Sequence, residues 1–104
     1  MVTTATPRTK IFVDEIMKNY REQRIIGHVI YNNINYHFEL VRSFKQSLYG
    51  IGEKYITGLS IYKNHKNLAE YDTYWISKPE NDSAKHIYRA LLRKFNNTDK
   101  VSKT

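Results

Sequence analysis

Cysteine is absent from the 104 residues of this chain. Its absence excludes disulfide bonds and thiolate metal sites, and it is typical of proteins that work in a reducing cytosol. The sequence has no stretch of about 20 apolar residues, the length that a membrane-spanning helix requires, and residues 1–8 lack the apolar core of a signal peptide. We therefore expect a soluble, cytoplasmic protein without a membrane partner.

Recognisable catalytic patterns are also missing. The four histidines, His28, His37, His65 and His86, are scattered. No Ser-His-Asp order, nucleophile elbow or His-Glu metal motif is present. Glu70 and Asp72 share one face of a predicted strand, so acid-base chemistry by a pair of carboxylates is possible in principle. We predict no enzyme activity, no catalytic residues, no metal site and no cofactor.

Positive charge is what the chain has in excess. It carries 17 Lys and Arg against 10 Asp and Glu, a net charge of +7. Such a charge favours encounter with nucleic acid, acidic proteins or anionic surfaces. The alternative is that the charge only keeps a tyrosine-rich protein in solution.

The N-terminal third is predicted to form a helix and then a hairpin. Thr6-Pro7 resembles a helix start, and apolar residues recur at helical spacing to about residue 22. These are Phe12, Val13, Ile16, Met17 and Tyr20. Residues 24–44 then read as a β-hairpin, in which Asn32-Asn33 suits a type I′ turn.

The turn fixes the register of this hairpin. It places Tyr31 opposite Ile34 and Gly27 opposite Phe38, with the apolar side chains on one sheet face. His28 then faces His37 on the other side. A metal site or a pH switch there is one interpretation; the other is an ordinary exposed polar pair.

The second half is predicted to hold a loop, another hairpin and a helix. Residues 45–54 form the loop, and strands at 55–63 and 68–77 are joined by a polar turn at 64–67. Two registers remain open: Tyr62 opposite Ala69 or, with a bulge, Ile61 opposite Tyr71. The helix starts with a capping box at 77–80 or a cap at 81–83, and it ends near Phe95.

The predicted fold class is therefore α+β, with the order α-β-β-β-β-α. Two hairpins form an antiparallel four-stranded sheet, and the N-terminal and C-terminal helices pack on one face. We expect a single domain over residues 1–104, with flexible ends at 1–6 and 97–104.

The last helix carries the strongest candidate binding feature. Lys85, Arg89 and Arg93 recur at every fourth residue and form a basic ridge beside the apolar stripe, with His86 and Lys94 flanking it. Steps of about 6 Å along such a ridge can follow a phosphate backbone. The alternative is a solvated helix face whose cations complement the helix dipole.

Aromatic side chains are the second candidate feature. The chain has 9 tyrosines, 4 phenylalanines and 1 tryptophan, more than one small core can hold. Six of them cannot all lie in one core: Tyr49, Tyr55, Tyr62, Tyr71, Tyr74 and Trp75. Tyrosines on an open sheet face can stack on bases or contact another protein, and Tyr49, Tyr74 and Trp75 are the candidate binding residues. The alternative is that they fill a small core and an ordinary surface.

Several short segments between residues 26 and 96 resemble a family of small uncharacterised domains from bacterial phages and mobile genetic elements. The segments are Gly27 with Val29-Ile30-Tyr31, Tyr49-Gly50-Ile51, Ile56 with Leu59 and Ile61, Tyr71-Asp72 with Trp75, Lys78-Pro79-Glu80, and Leu91-Leu92 to Phe95. The resemblance implies a protein that acts inside a bacterial host cell. A weaker likeness is to the double-stranded RNA-binding domain, through the element order and through Ser83-Ala84-Lys85 followed by Ala90-Leu91-Leu92. Glu80-Asn81-Asp82 replaces the basic cluster that opens the last helix of that domain.

These observations predict a non-enzymatic binding protein that engages a host protein or nucleoprotein, such as a nucleic-acid-processing effector. By analogy with other small phage proteins, it acts as an inhibitor of host defence of the anti-CRISPR kind. Two alternatives stay open: a direct nucleic-acid-binding domain with little sequence specificity, and a structural protein that dimerises through a tyrosine-rich sheet face. We expect a monomer or a homodimer.

Overall fold

The computed structural model describes residues 9–96, which form one antiparallel sheet of six strands followed by a helix. The elements are β1 (Thr9–Lys18), β2 (Glu22–Tyr31), β3 (Ile34–Ser43), β4 (Ile56–Lys63), β5 (Lys66–Asp72), β6 (Trp75–Ser77) and α1 (Asp82–Phe95), with a short 3₁₀ turn at Ile51–Glu53. The strands lie in the sheet in chain order. The predicted four-stranded sheet with two helices is therefore wrong, and the chain is mostly β. The ends predicted to be flexible, 1–6 and 97–104, lie outside the described residues.

The predicted N-terminal helix is an edge strand, β1, paired with β2. Its register shifts between Val13 and Glu15, where Asp14 forms a β-bulge. The bulge inserts one residue, so the apolar side chains on one sheet face are Ile11, Val13 and Ile16, spaced by two and then by three. This broken alternation imitates helical spacing, which is why the pattern misled the prediction.

The first hairpin forms as predicted. Tyr31 pairs with Ile34, Gly27 with Phe38 and His28 with His37. Asn32 and Asn33 both have positive φ, 52° and 62°, as a type I′ turn requires. A Cβ atom at Gly27 would lie 2.1 Å from a backbone oxygen of Phe12, so the close approach of β1 to β2 requires glycine at this position.

Both predicted registers of the second hairpin are wrong. Its turn has two residues, Asn64 and His65, with φ of 49° and 66°, instead of four. Ile61 consequently pairs with Ala69, and a bulge shifts the register between Ile61 and Tyr62. Asn-His is not one of the Asn-Gly or Asp-Gly pairs typical of a two-residue hairpin turn, and this explains why the sequence did not reveal the shorter turn.

The predicted strand at 68–77 is split into β5 and β6. Thr73 has a φ of 60°, and the amide of Asp72 donates to the carbonyl of Tyr74 at 2.9 Å. The chain therefore reverses at 73–74, and Trp75 pairs with Tyr71. This additional hairpin brings the Trp75 ring back over the sheet toward α1.

Helix α1 packs on one face of the sheet, which we call the covered face. This face carries the buried side chains of Ile25, Val29, Phe38, Leu40, Leu59 and Ile61, and α1 adds Ala84, Ile87, Leu91 and Phe95. The opposite side is the open face, where Ile30, His37, Glu39, Ser60 and Glu70 alternate with these residues. Within residues 9–96, no helix has the length and apolar character needed to cross a membrane.

Candidate binding surface

The basic ridge lies on the outer side of α1. Ala84, Ile87 and Leu91 are buried against the sheet, and this fixes the rotation of the helix about its axis. Lys85, Arg89 and Arg93 are therefore exposed, as the sequence predicts. At 1.5 Å per residue, the ridge from Lys85 to Arg93 is about 12 Å long.

Two asparagines hold the ends of the helix. The Asn81 side chain accepts a hydrogen bond from the Ala84 amide at 2.7 Å, which identifies Asn81 as the N-cap among the predicted alternatives. At the other end, the Asn96 side-chain oxygen accepts from the amides of Tyr55 and Ile56, and its side-chain nitrogen donates to the Ile51 carbonyl at 3.1 Å. These bonds join the end of α1 to the loop ahead of β4, so the ridge has a fixed position on the sheet.

His86 and Trp75, two predicted binding residues, make contacts that hold the helix in place. The His86 ring stacks on Tyr31 with 4.6 Å between centroids, and its Nε2 atom lies 2.7 Å from the hydroxyl oxygen of Thr9. Trp75 makes edge contacts with Tyr71 at 5.1 Å and with Tyr88 at 5.3 Å. Both side chains are half-buried, so they offer a partner less surface than the ridge does.

Tyr49 and Tyr74 form a separate exposed patch. They are 65% and 66% exposed, and the Tyr71 hydroxyl joins their segments by contacting the carbonyls of Tyr49 at 2.7 Å and Thr73 at 3.2 Å. Leu48 is 81% exposed beside them in sequence. The sequence thus identified exposed aromatic residues here, but they lie on a loop and a turn instead of on the open face.

The open face is not rich in tyrosine. Tyr31, Tyr36 and Tyr71 are buried in the core on the covered face, while Tyr62 pairs with His37 on the open face. A tyrosine-rich sheet face is therefore absent from the sheet of residues 9–96.

Charge separates between the two sides of the molecule. The open face carries the acidic residues Asp14, Glu15, Glu39, Glu70 and Asp72. Two of them are paired there, Asp14 with His28 at 2.8 Å and Glu39 with Arg24. Helix α1 instead carries Lys85, Arg89, Arg93 and Lys94 against one acidic residue, Asp82.

The two opposed histidines remain on the open face without a metal-binding group around them. His28 contacts Asp14 and stacks on Phe12 with 4.7 Å between ring centroids. His37 lines a shallow hollow of about 520 Å³ together with Tyr62, Asn64 and His65. In the described part of the chain, no three His, Asp or Glu side chains lie together as metal ligands.

A cleft beside the ridge includes residues that the sequence did not identify. It lies between the 3₁₀ turn and the C-terminal half of α1, has a volume of about 650 Å³, and is lined by Ile51, Gly52, Lys54, Tyr88, Leu92, Arg93 and Asn96. Lys54 and Gly52 belong to a loop without periodicity, and Asn96, which bonds to this segment, lies 40 residues after Ile56 and 45 after Ile51 in the chain. No local pattern signals such a contact.

Tyr88 connects the cleft with the ridge. Burial raises the pKa of the Tyr88 phenol above its ordinary value of 10.0, Tyr71 acts in the same direction, and the Arg89 guanidinium lowers it. The phenol is therefore neutral at physiological pH. Arg93 belongs both to the ridge and to the lining of the cleft.

The fold and surface define a class: a six-stranded antiparallel sheet, covered on one face by a single basic helix. Residues 23–96 match the family described as a domain of unknown function, DUF7678. The match covers most of the chain, which therefore belongs to that family, and the expected resemblance to a family of small uncharacterised domains is confirmed at this level. Neither the curated proteins nor the solved structures give a match.

The matched region begins inside β2 and ends at Asn96. It includes the ridge, both helix-capping asparagines and the cleft, whereas β1 lies ahead of it. The weaker likeness to the double-stranded RNA-binding domain is not supported, because residues 9–18 form a strand where that domain has its first helix.

Proposed function

We propose that this protein is a non-enzymatic binding protein, encoded by a phage or mobile element, that engages a host protein or nucleoprotein through the basic ridge of α1. Within the bacterial cytoplasm, its target is a nucleic-acid-processing effector, and its role is inhibition of a host-defence system of the anti-CRISPR kind. The phage setting and the defence role extend the family resemblance by analogy.

The observation that carries the proposal is the exposed row of Lys85, Arg89 and Arg93 on a helix whose two ends are fixed. Because the backbone that carries these side chains is already fixed, less entropy is lost when a partner binds. The acidic side chains of the open face lie on the opposite side of the sheet, two of them paired with Arg24 and His28, so an acidic partner is attracted to the ridge more strongly than to the open face.

Direct binding of nucleic acid is the second candidate function. The spacing of about 6 Å between ridge cations suits a phosphate backbone, which carries its charges at regular intervals. The acidic Asp82 in the first turn of α1 opposes this interpretation, because it lies where an extended phosphate chain would continue along the helix.

The decisive experiment is affinity capture from a bacterial host lysate, with and without nuclease. The test variant is Lys85→Glu/Arg89→Glu, and the matched control is Lys45→Glu/Lys66→Glu, which reverses two exposed charges away from α1. We expect the test variant to lose captured partner by about tenfold or more, since buried interfacial charge reversals cost several kcal/mol. The control should retain it.

The nuclease arm separates the two candidates. A partner retained after nuclease treatment supports the protein or nucleoprotein function. A partner lost after treatment indicates bridging nucleic acid, and direct binding should then weaken with salt at a log-log slope of roughly −0.9 per neutralised duplex phosphate. Equal capture by the ridge variant and the control would remove α1 from both functions.

A further inference from the structure

The cleft beside the ridge has an apolar floor. Ile51 is 8% exposed and belongs to the core cluster, and Tyr88 and Leu92 are partly buried against the same cluster. These three side chains already pack against the core, so a ligand can contact them without any rearrangement of the core. The cleft has a volume of about 650 Å³ and is widely open to solvent.

The rim of the cleft is cationic. Lys54 lies on the loop side, where its side chain is exposed, and Arg93 lies on the helix side. Between them, Gly52 has a φ of 65° and open space where a side chain would point. The rim therefore leaves access to the floor, and both of its charged side chains attract carboxylate or phosphate groups.

The distribution of charge along α1 decides between these two anions. Glu80 and Asp82 lie at the start of the helix, and Arg89, Arg93 and Lys94 lie toward its end. A long phosphate backbone along the helix would meet the acidic start. A short acidic segment seated at the C-terminal end lies beside Arg93 and Lys54, against one acidic side chain of the 3₁₀ turn, Glu53.

The floor favours the same occupant. Ile51 and Leu92 are aliphatic, and Tyr88 is the one aromatic ring of the lining. An aliphatic floor receives a large apolar amino-acid side chain by simple burial. Successive nucleotide bases, in contrast, bind by stacking on several aromatic rings.

We propose that this cleft binds a short acidic segment of a partner protein, with one large apolar side chain against Ile51, Tyr88 and Leu92 and flanking carboxylates on Lys54 and Arg93. The proposal rests on the proposed function, and it names the chemistry of the partner segment that this function requires. It also identifies the cleft as the place where binding becomes selective, because the ridge supplies charge without an anchoring pocket.

The test is a titration of the full chain, followed by two-dimensional amide NMR, with three probes. The first is the hexapeptide acetyl-EDLGED-amide, the second is the equally charged acetyl-EDSGED-amide, and the third is a thymidine hexanucleotide. We expect the apolar acidic peptide to bind about tenfold or more tightly than its polar counterpart, as burial of one large side chain implies. Its largest shifts should fall on the amides of Gly52, Leu92 and Arg93.

Matched variants locate the site. Lys54→Glu should abolish binding of the apolar peptide, whereas Lys66→Glu, an equal charge reversal at the β4–β5 turn, should leave it unchanged. Leu92→Ala should weaken the apolar peptide and leave the polar one unaffected, and Leu48→Ala in the exposed loop serves as its control. Thermal melts and the NMR spectra of the free variants show whether each one is folded.

The proposal is overturned if the two peptides bind alike, if the hexanucleotide binds more tightly than the apolar peptide, or if no probe binds. The lysate capture distinguishes this failure from failure of the proposed function. Capture that survives Lys54→Glu but is lost in Lys85→Glu/Arg89→Glu would keep the ridge as the docking surface and reject the cleft.

Discussion

The two faces of the sheet differ in what their side chains do. The covered face is apolar, and its residues contribute to a core closed by α1. The open face combines partly buried apolar residues such as Ile30 with histidines and acidic side chains. Core packing and basic charge therefore come from the same side of this molecule, because the helix that completes the core also presents the ridge.

The largest effect should come from removing core contact between the helix and the sheet. Leu91 is fully buried, and Leu91→Ala should lower the free energy of unfolding by about 2–5 kcal/mol, through lost burial and the cavity that remains. Ile30→Ala on the open face should cost only about 1 kcal/mol, because this side chain is half-buried without the helix. Urea denaturation measures both, and equal losses would show that the open face is also packed.

The attachment of the helix end should have the next largest effect. Asn96→Ala removes a side chain that makes three hydrogen bonds to backbone groups, and it should lower the free energy of unfolding by about 1–3 kcal/mol. Amide hydrogen exchange should accelerate at Tyr55 and Ile56. Asn35→Ala, an exposed asparagine on β3, is the control, and unchanged exchange in Asn96→Ala would show that the loop is held by other contacts.

The smallest effect concerns pH. Because burial raises the pKa of Tyr88 in the folded state, the unfolded chain loses this proton first as the pH rises above 10.0. The contribution of this group to the stability of the fold is fully present below that pH. It is lost as the pH rises through the higher pKa of the folded state. Tyr88→Phe should therefore flatten the alkaline fall in stability, measured by urea denaturation at increasing pH.

The control for this pH dependence is Tyr20→Phe, at a ring that is 83% exposed in the β1–β2 turn. The prediction fails if the free energy of unfolding of Tyr88→Phe falls as steeply with rising pH as that of the unmodified chain. A result of that kind would mean that Tyr88 is no better protected from water than the exposed ring of Tyr20.

The last helix could be predicted because its signals are local. The apolar spacing of α1 predicted which residues are buried, and it thereby predicted the exposed ridge of Lys85, Arg89 and Arg93. The Tyr49 and Tyr74 side chains were correctly expected at the surface. Their place in the fold was not predicted, because the turn at 73–74 depends on Thr73 adopting positive φ, for which threonine has no preference.

Local signals in the sequence are enough to specify the first hairpin and the last helix. Asn32-Asn33 and the alternation around it fix a register through neighbouring residues, and Asn81 and the stripe of α1 act within a few turns. Tertiary structure decided the rest. Residues 9–18 become a strand because they pair with β2 around a bulge, and the cleft exists because Asn96 bonds to a loop about 40 residues earlier in the chain. Contacts between distant segments leave no periodic pattern in the sequence, so these features are fixed only when the chain folds.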